Sequence, residues 1–231
     1  MTNLRPYVIC HMGSTIDGRI ISEHWGENLD NYSELYEQCH NTFNSDAWMV
    51  GRVTMEKDFT EGEKPGSLKP DGPLERKPFI GNKEATSFAI AVDAKGKLGW
   101  NSNEIEGDHV IEILSEAVPD EYLAYLQQVG VSYVFAGKAE LDLNSALEQL
   151  HQIFGIKKLM LEGGGSINGS FLQADLIDEI SLLVLPLADG TAGTATTFEL
   201  SAMMTDKAKV LKLTSVKQLA YDVIWLKYTM K

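Results

Sequence analysis

The sequence predicts an α/β fold with a mostly parallel central sheet and antiparallel strands in its C-terminal part. Three observations predict it. Between residues 120 and 173, segments of helical period alternate with short apolar runs in the order helix–strand–helix–strand–helix. Parallel strands joined by crossover helices require that order. After residue 178, "EISLLVLP", "AKVLKLTSVKQL" and "DVIWLKYTM" follow one another with no helix between them, as antiparallel strands do. Finally, two strands end in glycine directly before a helix start, at "MVGRVTMEKD" and at "LMLEGGGSINGSFL".

Taken in order, "YVICHM" (7–12) reads as a buried strand, and Asp17-Gly18 in "STIDGRI" marks a turn. In "LDNYSELYEQCHNTF", Leu29, Tyr32, Leu35, Tyr36, Cys39 and Phe43 recur at helical spacing. "DAWMVG" (46–51) is a short strand and "RVTMEKDF" a short helix. Residues 61–78 hold four of the seven prolines and three glycines, a long surface loop. "SFAIAVD" (87–93), "HVIEIL" (109–114), "VSYVFAG" and "IKKLMLEG" are strands. "PDEYLAYLQQVG" is a helix with Pro119 near its first position and Gly130 past its end. "DLNSALEQLHQIFG" is a helix that Asp142 caps and Gly155 stops, and "SINGSFLQAD" is another. No internal repeat or low-complexity tract interrupts this pattern, so one domain over residues 1–231 is expected.

Composition narrows the function. The formal net charge of −13 argues against a nucleic-acid partner, which needs clustered Lys and Arg. No apolar run approaches the roughly 20 residues that cross a bilayer. The start "MTNLRPYVICHMGS" passes straight into a strand, and only Cys10 and Cys39 occur, both in apolar-patterned segments. A cytoplasmic location is therefore expected.

The glycines carry the chemistry. "GGGSIN" is not a Rossmann fingerprint, because Asn168 stands where a third spaced glycine is needed, and no Walker A pattern occurs. Two cysteines 29 apart and five scattered histidines make no zinc spacing, so no metal is expected. Gly51, Arg52 and Thr54 instead combine a helix start, a fixed charge and a hydroxyl, a set suited to phosphate. A second helix start follows Gly163–Gly165. Two anion-friendly strand ends in one sheet suit a dinucleotide.

At these residues the chain resembles the dihydrofolate-reductase-like superfamily. "VGRVTME" is similar to the G-R-x-T-x-E segment of dihydrofolate reductases, and "EGGGSINGSFL" to their glycine-rich helix start. "STIDGRI", together with Glu162-Gly163-Gly164 and "LIDEISLLVLP", resembles the reductase domain of bifunctional riboflavin-biosynthesis deaminase/reductases, in a stand-alone form. The resemblance spans about residues 7 to 190. It implies a three-layer dihydrofolate-reductase-like fold that binds NADPH across the carboxyl ends of the strands. It places Ser14 before the loop over the nicotinamide, Arg52 at the adenosine 2′-phosphate, and Gly51 and Thr54 near the pyrophosphate. Asp58 matches a cofactor-contacting aspartate, and Asp93 and Ala94 lie on the adenosine side. Gly164, Gly165, Ser166, Ile167 and Asn168 cradle the pyrophosphate, with Gly164 the position that a positive φ would suit. Glu162 contacts substrate, and Asp17 or Glu162 relays or orients a proton; Asp30 and Glu34 match a third carboxylate only loosely.

The departures matter as well. The zinc deaminase motifs of the bifunctional enzymes are missing, as are the arginines that hold a sugar phosphate in the family. A phosphate site would need Lys57, Lys64, Lys69 or Arg76. The expectation is an NADPH-dependent reductase of a small heterocyclic, carbonyl or imine substrate. Its alternatives are the 5-amino-6-(5-phosphoribosylamino)uracil reductase of riboflavin biosynthesis and a nucleotide-binding protein without turnover. A homodimer is expected, with "DVIWLKYTM" and its Trp225 as an exposed edge.

Overall fold

The structure, a computed structural model, describes residues 5–200 and 208–231. In chain order its elements are β1 (Tyr7–Thr15), α1 (Leu29–Asn41), β2 (Ala47–Gly51), α2 (Arg52–Asp58), β3 (Phe88–Val92), β4 (Glu104–Ile105), β5 (Asp108–Leu114) and α3 (Asp120–Val129). There follow β6 (Ser132–Phe135), α4 (Leu143–Phe154), β7 (Lys158–Leu161), α5 (Gly165–Gln173), β8 (Glu179–Leu185), β9 (Leu211–Gln218) and β10 (Ile224–Met230). The mixed α/β class, its mostly parallel strands and its antiparallel C-terminal strands agree with the sequence reading. The chain divides into two compact units, one of Asp46–Leu159 with the stretch up to Pro6, the other of Tyr7–Ser45 and Met160–Lys231.

In the unit of Asp46–Leu159, β2, β3, β5 and β6 pair successively in parallel, and β4 folds back antiparallel on the start of β5. Every residue of β3 is buried, as a strand covered on both faces must be. Ala89 and Ala91 share a core with Met55 of α2 and with Tyr122, Leu123 and Leu126 of α3. Phe88, on the opposite face by strand alternation, meets Phe154 of α4 edge-on at 5.6 Å. Helix ends follow the sequence signals: Asp142 Oδ1 accepts the Ser145 N–H at 3.1 Å, and Gly130 and Gly155 take left-handed φ of 85° and 71°.

The proline-rich loop contains no regular element, yet it is latched. Arg76 donates to Asp120 Oδ1 at 2.5 Å and to the carbonyls of Glu116 and Val118 at 2.9 and 2.8 Å. One feature of this unit breaks the apolar pattern. Glu112 in β5 is fully buried and accepts from the Tyr122 hydroxyl at 2.7 Å and from the Trp100 indole N–H. Burial, with Asp93 adding to it, pushes its pKa well above the usual carboxylate range, because a dry core disfavours the charged form.

In the other unit β1 and β8 run parallel, Ile9 opposite Glu179 through Thr15 opposite Leu185. The C-terminal strands correct one expectation. β10 is not an edge: it lies between β8 and β9, antiparallel to both. The turn after β9, with Tyr221 and Asp222 at positive φ, sends the chain back along the inner side of β9. Trp225 is 5% exposed, and its indole donates to Ser181 Oγ at 2.8 Å. Of the C-terminal strands, it is β9 and its approach that expose apolar side chains, Val210 at 62%, Leu213 at 49% and Val216 at 56%.

Helix α5 meets the segment 196–199 at backbone distance. A Cβ on Gly165 would stand 2.1 Å from the Thr196 carbonyl oxygen, and one on Gly169 would stand 2.0 Å from that of Glu199. The Glu199 N–H donates to the Gly165 carbonyl at 2.9 Å, and Asn168 Nδ2 donates to the Thr197 carbonyl at 3.0 Å. Gly169→Ala should therefore force the two backbones apart. Overpacking of this kind costs about 1–3 kcal/mol, or a fall of roughly 2–12 °C in Tm for a chain of this size. Gly72→Ala, whose Cβ meets nothing within 4 Å, is the control. A Gly169→Ala variant melting with the parent would show that the approach is slack.

Candidate functional site

Glu162 is the last residue before the glycine turn, one position past β7. Its carboxylate is held from α1. Tyr36 and His40, four residues apart and hence on one helical face, both bond Oε1, the Tyr36 hydroxyl at 3.1 Å and His40 Nδ1 at 2.7 Å. The Tyr36 hydroxyl also lies 3.0 Å from the His11 carbonyl of β1. The His11 ring stacks on Tyr36 at 4.2 Å and bonds Ser181 Oγ through Nδ1 at 2.9 Å. Burial lowers the His11 pKa, so this histidine is neutral and structural. The Glu162 and His40 side chains keep 12% and 18% exposure, enough to reach a ligand. Gly13 of β1 opens the same corner: the Trp25 ring lies 3.3 Å from where its Cβ would be, and Tyr36 lies 3.9 Å away.

Beyond Glu162 the glycines have separable reasons. Gly163 carries the positive φ, +97°, which corrects the expectation for Gly164. Gly164 has φ −67°, ψ −170° and is the N-cap of α5. A Cβ on Gly163 would lie 3.2 Å from the Met12 side chain of β1. Gly165 is required by Thr196, as described. No side chain caps α5. Its first-turn amides at Gly165, Ser166 and Ile167 therefore present the positive end of a nine-residue helix. Ser14, the second-last residue of β1 before the turn at Ile16 and Asp17, is 2% exposed. Asn168 is fully buried, and its Oδ1 has no partner.

Asp17 sits in a different environment. It accepts from the Thr15 hydroxyl at 2.6 Å and from the backbone N–H groups of Gly190 and Asp189 at 2.9 and 3.1 Å. These bonds, the Thr15 hydroxyl first, lower its pKa from 3.8 to about 2. Asp17 is an ionised pin between two loops, and near neutral pH it has no proton to relay. Asp189 is tied in turn to His24 at 2.7 Å.

The remaining expected residues belong to the unit of Asp46–Leu159. Gly51 is the N-cap of α2, again without a side-chain cap, and Arg52 and Thr54 follow in its first turn. Arg52 pairs with Glu56, which Lys64 also reaches at 3.0 Å. Asp58 lies 3.9 Å from Lys57. Asp93 is buried at the end of β3, and its Oδ2 accepts from the N–H groups of Lys97 and Leu98. The Ala94 carbonyl accepts from Ser115 Oγ at 2.7 Å. Of the cations expected for a phosphate, Arg76 is held in its latch, and Lys64, largely exposed, pairs with Glu56 as Arg52 does. A cavity of about 250 Å³ between Phe59, Glu61, Trp100 and Glu104 contains none of the expected site residues. Among the described residues no cluster of metal-ligating side chains occurs, and no helix is long and apolar enough to cross a membrane.

The residues missed from sequence are Tyr36 and His40. The available signal was their i, i+4 spacing on the inner face of α1. Periodicity alone marks that face as apolar.

The Asp17 pin has a pH signature. A carboxylate depressed on folding stabilises above its unfolded pKa, near 3.9, and that contribution is lost as pH falls through about 2. Melting temperature measured from about pH 5 down to about pH 2 should fall more steeply for the parent than for Asp17→Asn. Parallel curves would show that Asp17 is not a pin.

A 2,5-diamino-6-ribosylamino-4(3H)-pyrimidinone 5′-phosphate reductase of Methanothermobacter thermautotrophicus is 32% identical over 203 residues, 81% of each chain. One of Archaeoglobus fulgidus is 26% identical over 196 residues, 81% of this chain and 83% of its own. Among solved structures, RibD of Acinetobacter baumannii matches with TM-score 0.70 and 21% identity over all of this chain, which spans 59% of that one. A pyrimidine reductase-like protein of Corynebacterium diphtheriae matches with TM-score 0.69 and 19% identity, over 98% of this chain and 92% of its own. At these identities the structures speak for the fold. The curated relatives are reductases, and this chain is an oxidoreductase that works with a nicotinamide cofactor. The chain belongs to the RibD C-terminal domain family, whose model matches residues 6–225.

Proposed function

We propose that this reductase uses NADPH and acts on a ribosylaminopyrimidine 5′-phosphate, the 2,5-diamino-4(3H)-pyrimidinone named for its relatives. One observation carries the reading: Glu162, fixed by two donors, immediately precedes a glycine turn that leads into an uncapped helix start. A group that touches substrate therefore adjoins a site for the cofactor's phosphates.

The residues fit a dinucleotide. The open amides of Gly165, Ser166 and Ile167 would take its pyrophosphate after Gly164, and the unpartnered Asn168 Oδ1 would accept a donor beside them. Ser14, Gly51, Thr54, Asp58, Asp93 and Ala94 complete the proposed cofactor set. Arg52 would exchange Glu56 for the 2′-phosphate. We take residues 1–231 to act as one reductase domain. The two free, buried cysteines fit the cytoplasm.

The chemistry follows from the substrate class. The C1 of a ribosylamine is at the aldehyde level, and opening the sugar ring exposes a C=N bond. The cofactor supplies hydride to that carbon, and the nitrogen takes a proton from the Glu162 side, directly or through water. Glu162 orients the ring, and Asp17, already ionised, orients the loop after β1. The experiment is turnover of this pyrimidine with NADPH. Arg52→Ala should weaken NADPH binding about tenfold or more, the worth of a charge-assisted contact, and leave NADH nearly unchanged. Equal losses for both cofactors, measured by fluorescence titration, would remove Arg52 from the 2′-phosphate.

The exposed apolar side chains of β9 support a homodimer. Leu213 and Val216 flank a strand edge that pairs with no other strand among the described residues, and which another chain can cover. Light scattering at micromolar concentration should give a dimer, and Leu213→Lys with Val216→Lys a monomer. A parent that scatters as a monomer would refute the pairing.

A further inference from the structure

Helix α1 is gripped from the sheet by a chain of buried polar groups. His11 of β1 and Ser181 of β8 stand opposite each other in their ladder, and both are fully buried. The Trp225 indole of β10 donates to Ser181 Oγ at 2.8 Å. Ser181 Oγ lies 2.9 Å from His11 Nδ1, and His11 Nε2 lies 3.2 Å from the Tyr36 carbonyl of α1. The two ends of this chain have fixed polarity, because an indole N–H only donates and a carbonyl only accepts. The neutral His11 therefore carries its proton on Nε2 and accepts at Nδ1. Ser181 gives its hydrogen to His11 while accepting from Trp225. One arrangement of hydrogens satisfies all four groups.

Trp225 is held against the same segment a second time. Its ring meets Phe43, two residues past α1, edge-on at 6.2 Å. The Lys227 ammonium stands 4.1 Å over Phe43 and 4.2 Å over Trp225, a cation shared by both rings. The carbonyl that His11 grips belongs to the residue whose hydroxyl bonds Glu162 Oε1, and His40, one turn on, bonds the same oxygen.

We infer that Ser181 and Trp225 are positioning residues of this reductase: through the fixed His11 tautomer they set α1 at Tyr36, and with it the placement of Tyr36 and His40 against Glu162. The inference rests on the proposed reading that Glu162 adjoins the bound pyrimidine. The C-terminal strand β10 thereby acts on the substrate corner through β8 and β1.

The first test needs no substrate. Two-bond 1H–15N correlation spectra at neutral pH should show His11 of the parent as the Nε2–H tautomer. In Ser181→Ala the His11 signature should change and the His40 ring signals should shift with it, while those of His109, in the other compact unit, stay in place. The second test measures kcat and KM for 2,5-diamino-6-ribosylamino-4(3H)-pyrimidinone 5′-phosphate with NADPH. Ser181→Ala cuts the chain in its middle and leaves two buried groups unmatched. It should raise KM about tenfold, with kcat changing less and NADPH binding at the parent's value. Trp225→Phe leaves Ser181 able to donate to His11 and should raise KM only about threefold, although it removes more buried volume and should melt lower than Ser181→Ala. A purely structural role would rank the kinetic losses as the melting losses. That ranking, an Nδ1–H tautomer in the parent, or parental KM and His40 signals in Ser181→Ala would overturn the inference and leave the reductase reading standing. A parent that does not reduce the pyrimidine would overturn that reading, and the His11 and His40 signals then decide the coupling. If Ser181→Ala does not fold, Trp225→Phe decides: parental KM and His40 signals in it would overturn the inference.

Discussion

The close approach of α5 to residues 196–199 is the constraint on which the candidate site depends. Two glycines let the backbones meet at distances that no side chain permits, and the Glu199 amide and the Asn168 side chain then cross-link them. With the helix fixed there, its open first turn and the Gly163 turn ahead of it have one position available. Glu162 inherits that position because it is bonded to the turn covalently and to α1 through Oε1. The glycines thus serve the protein's own packing first, and the ligand-ready amides follow from it.

Two carboxylates of this unit show how environment divides roles. Asp17 spends both oxygens on Thr15 and on two backbone amides, and it is stabilised so far as an anion that it cannot act as an acid. Glu162 receives side-chain donors on one oxygen and keeps partial exposure. A third, Glu112, lies in the other unit, where burial between Trp100 and Tyr122 pushes its pKa up and disfavours its charged form. The three share one functional group and differ in what surrounds it.

Much of the fold was legible because period and punctuation agreed. The alternating segments of 120–173, the Asp142 cap and the Gly130 and Gly155 stops all lie where local chemistry put them. Strand order was less legible. "DVIWLKYTM" read as an edge because it is apolar and late in the chain, but a hairpin returned it to the interior and left β9 outside. At the site, the glycine junction and Glu162 were visible as a motif. Tyr36 and His40 were not, since an aromatic and a histidine on a helix's inner face look like core until a partner strand brings a carboxylate to them. Sequence alone does not show that Arg76 is tied to Asp120 or that Lys64 and Arg52 share Glu56.

The β1–β8 pairing, which joins residues about 170 apart in sequence, bears on how the nascent chain folds. At a synthesis rate of about 5–20 residues per second, β1 leaves the ribosome roughly 10–30 s before its partner. During that interval the whole of Asp46–Leu159, whose strands pair among themselves, has been made. A strand with eight of its nine residues buried in the finished protein therefore waits without its β8 ladder. β1 is thus among the last of these strands to gain its full shelter, so a holdase that binds exposed apolar strands should gain most by engaging it there.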